Sequence, residues 1–331
     1  MDKKKYHIIF LIVILTVLFT TILSLCLGAV WISPKELISS IFSKDLTISK
    51  RIFLYARLPR TMGCLLAGAG LATAGGLIQG VFANKLASPG IIGVNAGAGL
   101  GVTISCTFAF ASGWSIAGAA FLGALLAVLT ITLAASATGA SRSSVILGGV
   151  ALNSLLTAFS EGINTLFPEN GAITMDFRVG GFSGVSTVRL IPAAIIIIIA
   201  LIITFSLSNE LDLLSMGEDT AQGLGLNVKA IRGLFLIIAA LLAGASVSFA
   251  GLLGFVGLII PNIVRKIVGS ESKKLLPMCA AVGAIFVTLC DCIARTAFSP
   301  HEIPTGIVMS IIGAPFFLFL LFKSKGGHFR G

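Results

Sequence analysis

Long apolar runs separated by short polar stretches dominate the chain. The runs lack the alternation of β-strands, and most approach the ~20 residues that a helix needs to cross a bilayer. They predict ten helical segments, at residues 8–30, 61–82, 91–111, 114–136, 144–167, 188–207, 231–250, 252–268, 275–297 and 304–322. The eighth contains Gly254, Gly257 and Pro261, which predicts a bent or half-span helix. The pattern therefore predicts an all-α polytopic membrane protein with a single transmembrane domain over residues 1–331.

The amino-acid composition excludes a soluble protein. Hydrophobic residues make up 56% of the 331 residues and charged residues 11%, against roughly 25% charged residues in soluble domains. The first apolar run follows the basic residues Lys3–Lys5 and resembles the start of a signal peptide. It is longer than a signal core, and no small-residue cleavage site follows it, so we expect it to remain as the first span.

The distribution of basic residues predicts the orientation of the chain. An even number of spans places both termini on one side, and more than half of the 23 lysine and arginine residues share that side. Cytoplasmic loops are enriched in these residues, so both termini are predicted to be cytoplasmic. The net charge of +10 is therefore attributed to topology, and no nucleic-acid partner is predicted. Residues 31–60 form a basic outer loop that either crosses regardless of its charge or docks an acidic partner.

A short sequence repeat indicates internal symmetry. The residues Leu65–Ala69 recur as Leu241–Ala245. The two copies lie in the second and seventh predicted spans, which cross the membrane in opposite directions. We therefore predict an inverted internal repeat with halves at about 57–180 and 230–322, a construction that many transporters use.

A polar segment at residues 208–229 separates the sixth and seventh spans and carries Asp212, Glu218 and Asp219. It is either an ordinary interhelical loop or a surface that another protein grips. The chain contains no GxxxxGK(S/T) phosphate-binding motif, so any ATP that drives it would be hydrolysed by a separate chain. No cofactor is predicted in this chain. The alternative function is a secondary transporter driven by a proton gradient.

Few polar side chains fall inside the apolar runs. Asp291 and Arg295 have the spacing of a helical ion pair, and they are open to interpretation as a structural salt bridge, a docking site or a proton path. Glu161 and Asn164 lie near the outer end of the fifth span, where they either line a pathway or support packing. The six cysteines and three histidines lack metal-ligand spacing, so no metal site is predicted.

Several separated motifs cover about residues 50–322. They are Arg57-Leu58-Pro59-Arg60, the segment from Asn84 to Gly93, Gly217-Glu218 with Ala221 and Leu224-Gly225, Gly254-Phe255-Val256-Gly257-Leu258 with Pro261 and Arg265, Asp291 with Ala294-Arg295, Glu302-Ile303-Pro304-Thr305-Gly306, and Gly313-Ala314-Pro315-Phe316-Phe317. Together they resemble the FecCD-type permeases, which are membrane subunits of ABC importers for iron–siderophore complexes, haem and cobalamin. The sequence departs from the family pattern at Lys85, Ser88, Phe177 and Asn262.

The resemblance implies the function and the partners of the chain. It implies ten spans, a homodimer or a dimer with a paralogous permease, a pathway between the two subunits, and location in the plasma membrane of a prokaryote. Two cytosolic ATPase subunits would grip the coupling residues Gly217, Glu218, Ala221, Leu224 and Gly225. An outer substrate-binding protein would dock its acidic knobs on Arg57, Arg60 and Arg295. The chain itself would be a transport subunit and not an enzyme, carrying an iron(III)–siderophore, haem or a cobalamin-like chelate.

Overall fold

The computed structural model describes residues 3–28, 33, 48–108, 112–138, 141–299 and 301–325, and the regular secondary structure within them is entirely helical. The α-helices are α1 Lys3–Cys26, α2 Ile48–Ile52, α3 Leu58–Val81, α4 Val94–Thr107, α5 Gly113–Thr138, α6 Arg142–Leu166, α7 Gly171–Val179, α8 Thr187–Ser206, α9 Ser208–Ser215, α10 Glu218–Gly223, α11 Val228–Ala250, α12 Val256–Val268, α13 Ser272–Thr296 and α14 Thr305–Lys325. A π-helical turn at Phe53–Arg57 joins α2 to α3, and 3-10 turns form at Pro89–Ile92 and Pro168–Asn170.

Each predicted apolar segment coincides with one of these helices. Among the described residues, seven helices are long and apolar enough to cross a membrane, namely α1, α3, α5, α6, α8, α11 and α13. The prediction of a short eighth segment is confirmed, because α12 has only 13 residues. The polar segment 208–229 is also ordered, and it folds into the two short helices α9 and α10.

The centre of the bundle is formed by α3 and α11, which are the most buried of the long helices. The close contact of α3 with α13 depends on glycine. A Cβ atom on Gly68 of α3 would lie 2.3 Å from the carbonyl oxygen of Gly283 on α13, and the reverse substitution would meet the same obstacle. Small residues of this kind let helix backbones approach closely in a membrane, where lipid removes the hydrophobic drive for packing.

The two helices that carry the sequence repeat make corresponding contacts with two different partner helices. The helices α3 and α11 carry the two copies of the sequence repeat, and α3 packs on α13 while α11 packs on α5. The repeated glycine follows this pattern: Gly68 faces Gly283 on α13, and a Cβ atom on Gly244 would lie 3.3 Å from the Cβ atom of Ala124 on α5. Two repeats related by a two-fold axis would produce this arrangement. The exact halves, 57–180 and 230–322, remain a prediction.

An irregular segment connects α11 to α12 within the bundle. The amide of Leu252 donates to the carbonyl of Phe177 at 2.9 Å, and the amide of Gly181 donates to the carbonyl of Ala250 at 2.8 Å. Phe255 then takes a left-handed conformation with φ of 67°. Irregular backbone is tolerated at membrane depth only where protein satisfies its polar groups. These bonds meet that requirement and attach α7 to the end of α11.

The bundle has two chemically different ends, and α13 connects them. Its first residue, Ser272, contacts Asp212 of α9, while Arg295 near its other end contacts Ser24 of α1. With 25 residues, α13 is roughly 37 Å long at 1.5 Å per residue. We call the end that carries residues 208–229 the coupling end, and the other end the arginine end.

Candidate functional sites

The helix α9 is held against α3 and α13 at the coupling end. Leu211 is buried, and a Cβ atom on Gly80 of α3 would lie 2.8 Å from its Cδ1 atom. The carboxylate of Asp212 accepts hydrogen bonds from the backbone amide of Ser272 at 3.0 Å and from its hydroxyl at 2.6 Å. Because Ser272 begins α13, the carboxylate caps that helix and interacts favourably with its dipole.

The helix α10 is positioned by four of the five predicted coupling residues. Gly217 has φ of 124° and ψ of 154°, a conformation open essentially to glycine, and it sets the turn between α9 and α10. Ala221 is fully buried beneath α10, and Glu218 forms an ion pair with Arg232 of α11. Gly225, with φ of 83°, ends the segment. These four residues fix the shape of the segment.

The face of α9 and α10 that remains exposed combines apolar and polar side chains. Met216 is 66% exposed and Leu224 is 62% exposed, and Asp219, Thr220 and Gln222 are exposed beside them. We call these five residues the coupling surface. Large apolar side chains within a polar rim are typical of protein–protein interfaces. Leu224 is one of the five predicted coupling residues, whereas Met216 lies in the predicted polar segment 208–229 but is not one of the five. Its signal in the sequence is a methionine within an otherwise polar stretch.

At the arginine end, Asp291 is fully buried and is surrounded by cations and a hydroxyl. Arg60 donates from Nε to Oδ2 at 3.0 Å and from Nη2 to Oδ1 at 2.9 Å, and Thr305 donates its hydroxyl to Oδ1 at 3.0 Å. Arg295 approaches Oδ2 to 3.5 Å, so the ion pair predicted from the helical spacing is present. A buried carboxylate needs this degree of compensation, because its desolvation costs several kcal/mol.

The predicted docking residues Arg57 and Arg295 are buried in this conformation, at 5% and 3% exposure. Arg57 donates to the carbonyls of Leu25 and Cys26, both at 2.7 Å, and Arg295 donates to the carbonyl of Ser24 at 2.9 Å. The last carbonyls of a helix have no partner within the helix, and basic side chains commonly bind them. These two arginines therefore hold the end of α1 and present no exposed guanidinium to a partner.

Of the three predicted docking residues, Arg60 is the most exposed, although only 12% of its side chain is accessible. Its Nη1 atom donates to the carboxylate of Glu302 at 2.7 Å, and the Glu302 side chain is 40% exposed. Beside this pair lies a polar cavity of about 380 Å³, whose walls include Asp176, Arg189 and Ser248. The cavity is bordered by α7, α8 and α11, and it brings charged side chains of both signs to the arginine end.

The pathway candidates Glu161 and Asn164 lie on α6 in different environments. Glu161 is exposed and forms an ion pair of 2.6 Å with Arg178 of α7. Asn164 is partly buried, and among the described residues its side-chain oxygen has no hydrogen-bond donor. The interpretation of Asn164 as a packing residue or a pathway residue stays open, whereas Glu161 stands on the surface of the chain.

The helix α6 exposes a stripe of polar and small residues at membrane depth. Its members recur at helical spacing and are exposed, namely Ser154, Ala158, Glu161, Gly162 and Thr165. The apolar window of α6 is among the least buried of the long helices. A polar face of this kind is poorly suited to lipid, since polar and ionisable groups within a membrane usually face the bundle interior or a water-filled cavity. The stripe is therefore suited to face another subunit or an aqueous path.

Among the described residues, no group of three or more His, Cys, Asp or Glu side chains is arranged to hold a metal ion. The six cysteines are buried as free thiols.

The described part of the chain is an all-helical bundle with seven helices long and apolar enough to cross a membrane, which is the architecture of a polytopic membrane protein. The sequence model of the FecCD transport family matches residues 15–323. The chain belongs to this family.

The chain is similar along nearly its whole length to permeases of bacterial import systems. It is 35% identical to the Fe(3+)-citrate import system permease protein YfmE of Bacillus subtilis, covering 96% of each chain. It is 37% identical to YfmD of the same organism, covering 96% of this chain and 95% of that one. It is 38% identical to the vitamin B12 import system permease protein BtuC of Salmonella typhi, covering 94% and 93%.

A solved structure titled as a metal-chelate type ABC transporter in an inward-facing conformation has a TM-score of 0.86 and 30% identity, with 95% of this chain and 99% of that chain covered. The chain is therefore the multi-pass membrane permease subunit of a bacterial ABC importer. It is a transport subunit and not an enzyme, and it works as part of a permease dimer with ATPase and substrate-binding components. The family and the relatives give no support to a proton-coupled transporter.

Proposed function

We propose that this permease carries an iron(III) chelate of the citrate or siderophore type, with haem and corrinoids as the second class of substrate. The relatives named above import iron(III) citrate and vitamin B12, both of which are metal complexes held in an organic ligand. The described part of the chain offers no built metal site, which is consistent with a complex that crosses as a whole.

The observation that carries the assignment to an ATP-driven importer is the coupling surface. Its apolar anchors Met216 and Leu224 are exposed, while the segment beneath them is attached to α3, α11 and α13. We propose that two cytosolic ATPase subunits, which use the ATP, contact this surface. The coupling end and both termini then face the cytoplasm. A displacement of α9 and α10 would be passed directly to the central helices.

We propose that the polar stripe on α6 faces the second permease subunit and lines the pathway together with Glu161 and Asn164. The second subunit is either a second copy of this chain or a paralogous permease. At the outer side, Arg60 is the docking residue for an acidic group of the substrate-binding protein. Arg57 and Arg295 are buried, and their proposed role is to hold the end of α1 beside Arg60.

The test of the coupling assignment is the substitution Leu224→Asp. It places a charge in the proposed apolar contact, and we expect at least tenfold less ATPase to co-purify with the tagged permease, with membrane insertion unchanged. Leu86→Asp is the matched control, because Leu86 is also exposed, at 44%, but lies outside the coupling surface. Equal recovery of the ATPase with both variants would overturn the assignment.

The substrate class is tested by uptake of radiolabelled compounds into cells that express the complete importer, with radioactive iron in the citrate, siderophore and haem complexes and radioactive cobalt in cobalamin. Iron(III) citrate, a hydroxamate siderophore, haem and cobalamin are supplied in turn, and each is also added unlabelled as a competitor. We expect uptake of one iron(III) chelate that Leu224→Asp abolishes. Uptake of cobalamin alone would replace the iron assignment with the corrinoid one.

A further inference from the structure

An apolar groove of about 700 Å³ runs along the outside of the bundle between α1, α3, α8 and α13. Side chains at its arginine end include Leu58, Pro59 and Thr187, and those at its coupling end include Phe10, Phe205 and Pro277. The groove exists because α1 packs loosely, with a smaller buried share than the other long helices. It is separate from the coupling surface, the cavity beside Arg60 and the stripe on α6.

The length of the groove matches the membrane. Along α8 it extends from Thr187 to Phe205, which is roughly 27 Å at 1.5 Å per residue. The hydrocarbon core of a bilayer is ~30 Å thick. The groove is open and apolar and spans both leaflets, and its half nearer the coupling end is as long as the hydrocarbon layer of one leaflet, which holds the acyl chains of a phospholipid.

The coupling end of the groove is basic. Lys273 is exposed and lies one helical turn before Pro277, on the face of α13 that lines the groove. Its neighbour Lys274 forms a hydrogen-bonded ion pair with Glu271. The hydrogen bond from Lys274 lowers the pKa of the Glu271 carboxyl. Lys4 and Lys5 are exposed at the start of α1. Positive charge therefore stands where the groove meets the membrane surface.

The first turns of α1 add an amphipathic aromatic residue at the same level. Tyr6 stacks on the groove residue Phe10 with the ring centroids 5.8 Å apart. Tyrosine favours the membrane–water interface because its ring is apolar and its hydroxyl is polar. Tyr6 and Lys273 thus mark the depth at which a lipid headgroup would lie.

We propose that this groove binds the acyl chains of an anionic phospholipid from the leaflet at the coupling end, with the headgroup phosphate against Lys273. A second copy of the chain fits the groove poorly. In a membrane dimer both copies share the same orientation, so a two-fold contact through this face would bring the two basic ends together. An anionic lipid headgroup, in contrast, is attracted by the basic residues at this end of the groove.

The test is native mass spectrometry of the detergent-purified importer after delipidation, with phosphatidylglycerol or phosphatidylethanolamine added back. We expect phosphatidylglycerol to bind more tightly. Lys273→Gln should weaken its binding by about 5-fold, which corresponds to ~1 kcal/mol per basic residue near an anionic lipid. Phosphatidylethanolamine has the same phosphate, but its ammonium group offsets the charge, so its binding should fall by less than that of phosphatidylglycerol. Lys266→Gln is the matched control, because Lys266 is exposed on α12 outside the groove.

A second pair of variants tests the acyl-chain part of the site. Ala281→Leu narrows the groove and should reduce the retention of both lipids, whereas Ala134→Leu, at an exposed position on α5, should leave it unchanged. Ala194→Leu narrows the opposite wall and serves if Ala281→Leu fails to fold. Equal phosphatidylglycerol binding by wild type and Lys273→Gln, or full retention in both narrowed variants, would overturn the proposal. The readout is independent of transport and of the substrate.

Discussion

At the residue scale, Asp291 shows how one buried charge organises the arginine end. Its carboxylate is fully buried and receives Arg60, Arg295 and Thr305. Removing one partner of a buried ion pair is costly because the other charges remain desolvated. Arg57 and Arg295 reach further, to the last carbonyls of α1, so these side chains connect the four helices α1, α3, α13 and α14.

The substitution Asp291→Asn should therefore destabilise the protein by about 3 kcal/mol. The measurement is the midpoint of unfolding in mixed detergent micelles with increasing sodium dodecyl sulfate. Glu302→Gln removes the exposed partner of Arg60 and should cost less than about 1 kcal/mol, as surface ion pairs do. If the two variants lose similar amounts of stability, burial does not determine how much these ion pairs contribute to the free energy of unfolding.

The glycine contact between α3 and α13 gives a second prediction at the residue scale. Gly68→Ala would push a methyl group against the Gly283 carbonyl at 2.3 Å, so we expect a loss of about 1–3 kcal/mol and a lower unfolding midpoint. Gly99→Ala in α4 meets no atom within 4 Å. It should be neutral or slightly stabilising, because alanine favours the helix by about 1 kcal/mol.

At the scale of elements, α13 connects the polar segment 208–229 at the coupling end to Asp291 and its partners at the arginine end. The carboxylate of Asp212 binds its first residue, and Asp291 and Arg295 lie near its last turns. We therefore predict that a movement of α9 is transmitted to the other end through one continuous helix. The ion pair between Glu218 and Arg232 gives α10 a similar connection to α11.

Asp212→Ala should remove the cap of α13 at a cost of about 1 kcal/mol. We expect the importer to assemble normally but to lose most of its substrate uptake, since α9 no longer holds α13. Uptake and ATP hydrolysis are measured together in proteoliposomes. Glu169→Ala, which removes an exposed carboxylate outside the coupling surface, controls for a general loss of acidic charge. Unimpaired uptake by Asp212→Ala would argue against transmission through α13.

At the scale of the whole molecule, the outer faces of α6 and α8 differ in chemistry. α6 exposes the polar stripe beside apolar side chains such as Phe159, at 56%, whereas exposed residues of α8 such as Ile195, at 53%, are apolar and suited to lipid. Because the protein is a subunit of a dimeric permease, a polar face at membrane depth is expected to lie towards the partner.

Cysteine labelling tests this division. A polar thiol reagent reacts with the thiolate and needs water, so we expect Ser154→Cys to be labelled in the assembled importer and Ile195→Cys not to be. Both positions lie near the middle of their helices. The six native cysteines are buried, so their background reaction should be low. Equal labelling of the two variants would contradict an aqueous path along α6.

The sequence by itself determined the helices and the class of protein. Hydrocarbon allows only internally bonded backbone, so each long apolar run had to form a helix. The positions of α3, α8 and α11 were predicted within a few residues. The coupling segment was also visible, because a polar stretch between two spans with Gly217 and Gly225 is conspicuous in so apolar a chain.

The tertiary structure alone decided which polar residues are accessible. Arg57 and Arg60 are three residues apart in the chain, yet Arg57 is buried under the end of α1 and Arg60 reaches Glu302 at the surface. This difference depends on where α1 ends in space, which no local pattern encodes. The same holds for Met216 and for the groove beside α1. Each is produced by the packing of helices that are distant in the sequence, and the free energy of that packing is absent from any single stretch of residues.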